Sequence, residues 1–232
     1  MDPVDLLLFV VLPYAATLFA VAAGIERYRR HGFSFTSFST QIFESRLHFW
    51  ALVPFHAGIL LVLAGHVVAL LIPRGILVWN AAPARLVVLE AAALAGGLLA
   101  LGGLAAAMYR RAMLQVVRRY TTWFDWGVYA LLLAQIATGV AIAALYPWGS
   151  SWYASTAVPY LWSLILLRPD AAAVAAMPAL VRWHVVLAWL FVGVFSVSRL
   201  VHVLAVPNHY LWRAPQVVRW ARRTVPPGGR TP

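Results

Sequence analysis

The chain has 232 residues, 63% of them hydrophobic and 11% charged, too apolar for a water-soluble domain, where about half is usual. All 18 basic residues are arginine, and they outnumber 7 acids to give a net charge of +11; they cluster between apolar runs, which points to membrane topology and not to nucleic acid. The absence of cysteine excludes disulfides, thiolate metal sites, a covalent C-x-x-C-H haem attachment and iron–sulfur clusters on this chain.

A membrane-crossing helix needs about 20 mostly apolar residues, and five segments qualify. The first is Val4–Ile25. It follows an acidic start, MDPVD, so no cleaved signal peptide is expected. Arg27, Arg29, Arg30 and Arg46 separate it from the second span, Trp50–Ile72. The third, Leu86–Met108, contains ALAGGLLALGGLAAA, in which Gly96, Gly97, Gly102 and Gly103 let another helix, or a flat cofactor, come close to the backbone. Helix packing is the simpler of those readings. Arg110, Arg111, Arg118 and Arg119 precede the fourth span, Trp126–Tyr146. A loop of about 35 residues follows, longer than most connections. Its apolar run Ala157–Leu167 is too short to span and is expected at the interface or folded back over the bundle. The fifth span is Trp183–Val206, and residues 207–232 form a basic cytoplasmic tail.

The opposite loops hold only Arg74 and Arg85, then Arg168 and Arg182. By the positive-inside rule the N-terminus lies outside and the C-terminus in the cytoplasm. The expected fold is all-α, a single integral membrane domain over 1–232 built as a bundle of five transmembrane helices. No carboxylate lies deep in a span. Glu90 and Asp125 sit near span ends, and Asp2, Asp5 and Asp170 lie outside, which argues against a proton pump or cation carrier.

Histidine within a span points to function by default. Of the seven histidines, His31 and His209 fall in polar stretches and His48 just before span two. His56 and His66 lie inside span two, while His184 and His202 lie near the two ends of span five. These spans run in opposite directions. Depth therefore pairs His66 with His184 on the outer side and His56 with His202 on the inner side. Two pairs of imidazoles stacked across the membrane suit two bis-His b-type haems, with iron taking the ring nitrogens. In a straight helix His184 and His202 are about 27 Å apart on one face, whereas His56 and His66 are only about 15 Å apart and about 80° off a common face. His48 matches the longer spacing better, so spacing leaves His48 and His56 both open. Arg182 and Arg199, close to these histidines, are candidates to pair with haem propionates, since guanidinium binds carboxylate bidentately. The alternative for each is a side chain snorkelling to the interface.

FHAGILLVLAGH and RWHVVLAWLFVGVFSVSRLVHVLAVP resemble the gamma (cytochrome b) subunit of membrane-bound respiratory nitrate reductase. So do LPY in span one, RYRRHGFSFTSFSTQ in the first inner loop, and TT with Asp125 before span four. The resemblance covers nearly the whole chain. It implies haem ligands at His56, His66, His184 and His202, and His48 drops out. It implies quinol oxidation near the outer haem, in the cell inner membrane, with electrons passing inward to an iron–sulfur subunit and a molybdenum catalytic subunit. The family carries a lysine at the start of span three that helps bind quinol. This chain has no lysine, and Arg85 is the nearest basic substitute; Gly65, beside His66, leaves room for a ligand. The haem b subunits of sulfur-metabolism or heterodisulfide-type complexes share the histidine pattern. A haem-free membrane anchor is the alternative from another class.

Overall fold

The computed structural model describes residues 2–31 and 46–203, with the side chains of His31, His202 and Val203 excepted. Most of the loop between the first two spans, the 207–232 tail and His209 lie outside the described residues; among the described residues every regular element is helical. Among the described residues, four helices are long and apolar enough to cross a membrane: α1 (Pro3–Arg30), α2 (Arg46–Leu71), α3 (Pro83–Met113) and α4 (Trp123–Leu145). A fifth, α5 (Ala179–Phe195), has 17 residues.

Proline shapes the start of α1. Pro13 has no N–H, so it cannot supply the helical donor to the Phe9 carbonyl. The helix widens into a π turn over Leu7–Val11, a form that suits such a defect. The buried Tyr160 hydroxyl donates to Phe9 O at 2.8 Å, and the two rings meet edge to face at 6.5 Å.

Glycine sets the contact between α2 and α3. A Cβ on Gly58 would come within 2.3 Å of Gly96 O, and one on Gly103 within 2.5 Å of the Phe55 nitrogen. The two backbones touch, so Gly96 and Gly103 of span three serve helix packing, whereas Gly102 faces open space. Gly97 packs against Val140 of α4, where Leu104, Leu132 and Ile136 form a buried cluster. Helix α5 then packs on both α4 and α1. The extensive packing thus follows a path α2–α3–α4–α5–α1 and leaves α2 at one end, without extensive contact to α5.

The fifth helix is shorter than the predicted Trp183–Val206. It stops at Phe195 and resumes as a 3-10 turn over Arg199–Val203. Two serines and an arginine account for the break. Ser196 Oγ donates across to Ala20 O of α1 at 2.7 Å, and Ser198 Oγ turns back to Phe195 O at 2.8 Å. Arg27 of α1 donates to the carbonyls of Ser196 and Ser198 at 3.0 and 2.8 Å. Carbonyls that a continuing helix would have satisfied are met from outside it. The straight-helix distance from His184 to His202 therefore does not hold.

The short helices between α4 and α5 fold over the bundle end that carries Pro3 and Pro83. Trp162 donates to Leu70 O at 3.0 Å, Tyr14 donates to Leu164 O at 3.0 Å, and burial pushes the Tyr160 hydroxyl up to about 12. Glu90 of α3 anchors the loop start, accepting from the backbone of Trp148 at 3.0 Å and Ser150 at 3.3 Å. Large apolar side chains face outward throughout, Leu60 and Val87 among them, and Trp79, Trp123, Trp148 and Trp183 are exposed near helix ends. A hydrocarbon solvent with interfacial aromatic belts accounts for both.

Candidate functional site

His56 and His66 are exposed on α2. Each ring places Nδ1 2.8 Å from the carbonyl four residues back, Leu52 O for His56 and Val62 O for His66. A carbonyl can only accept, so Nδ1 is the donor, and Nε2 is the nitrogen left to meet a ligand. A metal-ligating histidine uses its second nitrogen in the same way. Gly65 has no heavy atom within 4 Å of the place a Cβ would take, which leaves open space beside His66. The Tyr153 ring lies edge-on to His66 at 5.0 Å, with its hydroxyl 3.5 Å from His66 O.

His184 is half-buried on α5 and held by α4. Its Nδ1 is 2.9 Å from Thr138 Oγ1, and its Nε2 is 3.2 Å from the Gln135 amide nitrogen. Gly139 admits the ring: a Cβ there would stand 3.0 Å from Cε1. The side chain of His202 lies outside the described residues, so the partner of His56 is not placed. Among the described residues no three His, Asp or Glu converge as a metal-ion cluster.

Both candidate propionate partners hold a carboxylate of this chain. Arg182 pairs with Asp5 and lies 5.5 Å over the Phe9 ring, tying α5 to the start of α1. Arg199 pairs with Asp125 at 3.1 Å and donates to Tyr120 O at 3.3 Å. Asp125 also closes a capping box with Thr122 at the head of α4, which explains the TT–Asp pattern as a helix start. Arg85 stacks over Trp79 at 5.4 Å and donates to Val78 O at 3.3 Å. His48 lines a small cavity with Leu52, Arg110, Arg111 and Tyr129, in cationic company.

Sequence reasoning missed Gln135 and Thr138. Their signal is a polar pair three residues apart in an otherwise apolar span, on one helical face. The structure turns that face toward His184 of α5.

A family model described as nitrate reductase gamma subunit matches residues 5–221. The chain is similar to the nitrate reductase gamma chain of Bacillus subtilis, 29% identical over 216 residues that cover 92% of this chain and 97% of that one. It is 30% identical over 220 residues to the respiratory nitrate reductase 2 gamma chain of Escherichia coli, covering 91% and 95%. The nitrate reductase-like protein NarX of Mycobacterium tuberculosis is 31% identical over 223 residues, which make up 33% of its length.

Proposed function

The chain belongs to the nitrate reductase gamma subunit family, and from that premise we propose that it is the membrane cytochrome b subunit of a respiratory nitrate reductase. In this reading it spans the cell inner membrane five times, with α5 as the fifth crossing and the N-terminus outside. It oxidises quinol near the outer face and delivers electrons to an iron–sulfur subunit and a molybdenum catalytic subunit in the cytoplasm. The observation that carries the proposal is the state of the imidazoles on α2. Both His56 and His66 spend Nδ1–H on their own helix, from exposed positions that leave Nε2 for an outside partner.

The described ligand candidates, His56, His66 and His184, have the chemistry that bis-His b haem sites need. His66 and His184 would hold the outer one, His56 and His202 the inner one. Gly139 leaves the His184 ring the space it occupies, and a buried amide oxygen beside it, Gln135 Oε1, has no hydrogen-bond partner, as in a site whose polar inventory is incomplete. When bound, the haems supply one-electron carriers, which a quinol donor of two electrons requires. Arg182 and Arg199 would share their donors between Asp5 or Asp125 and a propionate, since guanidinium carries five. Gly65, with open space beside it next to His66, is where the quinol head would lie, and Arg85, held near the start of α3 by Trp79 and Val78 O, would be its basic partner. Quinol protons released outside while electrons move inward separate charge, worth about 2.3 kcal/mol per charge at 100 mV.

An optical spectrum of the purified protein tests the reading. A reduced-minus-oxidised difference with a b-type α band and about two haems per chain is expected from two bis-His sites. Absence of any reducible band overturns it in favour of the haem-free anchor.

A further inference from the structure

The three described imidazoles of the proposed haem set are not oriented alike. His56 and His66 rely on carbonyls of their own helix, which no side-chain substitution removes. His184 relies on a side chain of another helix. Thr138 Oγ1 donates to Ala134 O at 2.8 Å, with Gln135 O at 3.0 Å beside it. With its hydrogen so committed, the hydroxyl turns a lone pair to His184 Nδ1 at 2.9 Å. Nδ1 is then the protonated nitrogen, and Nε2 carries the lone pair. The Gln135 amide nitrogen stands 3.2 Å from that Nε2, while its oxygen is buried without a partner. The amide is thus only half satisfied where it sits, which favours its leaving when a stronger claimant takes Nε2.

Resting on the dihaem reading, we infer that Thr138 is a positioning residue for the outer haem, acting through His184. It fixes the tautomer that offers Nε2 to iron, and it strengthens that nitrogen as a donor. A hydrogen bond from the far ring nitrogen raises the basicity of a ligating imidazole. A more basic ligand favours the ferric state and lowers the reduction potential. The Thr138 hydroxyl, itself polarised by its donation to Ala134 O, therefore holds the outer haem at a lower potential than an unsupported imidazole would give.

Redox titration of the α band, with EPR of the ferric haems, on the full chain and its partner subunits in native membranes decides the point. The variants are Thr138→Val, which has the same shape without the hydroxyl, and Thr138→Ser, which keeps it. The outer haem is identified by its loss in His184→Ala. In Thr138→Val that haem is expected to titrate at a higher potential with a changed EPR signal, the inner haem to stay in place, and Thr138→Ser to match the wild type. Loss of one haem in Thr138→Val with both retained in Thr138→Ser also supports the inference. A two-haem Thr138→Val with wild-type potentials overturns it and leaves the dihaem reading standing. Loss of both haems in both variants reduces Thr138 to a folding role. A wild-type protein without haem overturns inference and reading together.

Discussion

The Nδ1–H of His66 is 2.8 Å from Val62 O, so the ring is aimed by backbone that every substitution at position 66 leaves in place. His184 is gripped from α4, by Thr138 at 2.9 Å and by a glycine that makes room for its edge. Removing either imidazole should therefore cost one proposed haem ligand without rearranging the helices, because neither ring fills the buried clusters that join them. His66→Ala and His184→Ala are each expected to abolish quinol oxidation and to lower the haem count from about two per chain to about one, since one bis-His site is lost and the other kept. Haem extraction and quinol-dependent activity on the same preparations provide the measurement. Equal loss of both haems in every ligand variant would mean a collapsed fold instead of two separable sites.

Among the elements, α1 depends most on a distant segment. Pro13 deprives Phe9 O of its helical donor, and Tyr160, 151 residues away in sequence, donates to that carbonyl at 2.8 Å. The contact joins the loop helix Val158–Ile165 to the π turn, next to the Asp5–Arg182 pair that joins α5 to the same end of α1. Tyr160→Phe keeps the ring and the edge-to-face contact but removes the donor. A buried acceptor left short costs about 1–3 kcal/mol. Thermal unfolding in detergent should show that loss as a lower midpoint, with haem content unchanged below the transition, because Tyr160 touches none of the proposed ligands. An unchanged midpoint would mean that water or another donor takes over the Phe9 carbonyl. The same region marks the limit of sequence reading. The apolar run at 157–167 was legible as a non-spanning helix from its length, but nothing local in LPY shows that the Phe9 carbonyl needs a tyrosine hydroxyl.

At the scale of the molecule, the helical class and the four long spans were legible from apolar run length. The end of α5 was not, because hydropathy runs on past Phe195 while the backbone is stopped by Ser196, Ser198 and Arg27, the last of them 169 residues from the first carbonyl it reaches. Nor was the grip on His184, which comes from Gln135 and Thr138 on another helix. The break in α5 gives topology its sharpest test. Four crossings would return both termini to one side, and five would place them on opposite sides. At 17 residues α5 is about 25 Å long, at the lower end of what spans a bilayer, and the 3-10 turn over Arg199–Val203 adds length. The proposed odd number rests on the arginine distribution: Arg110, Arg111, Arg118 and Arg119 flank α3 and α4 at one end, and five more arginines follow residue 206, as the positive-inside rule expects of one side. Because the chain has no cysteine, each engineered thiol is the sole target for a membrane-impermeant maleimide. Asp2→Cys and Arg168→Cys are expected to label in intact spheroplasts, whereas Arg118→Cys and Arg230→Cys should label only after lysis. Labelling of Asp2→Cys and Arg230→Cys from the same side would remove α5 as a crossing, and with it the antiparallel pairing of His66 with His184 by depth.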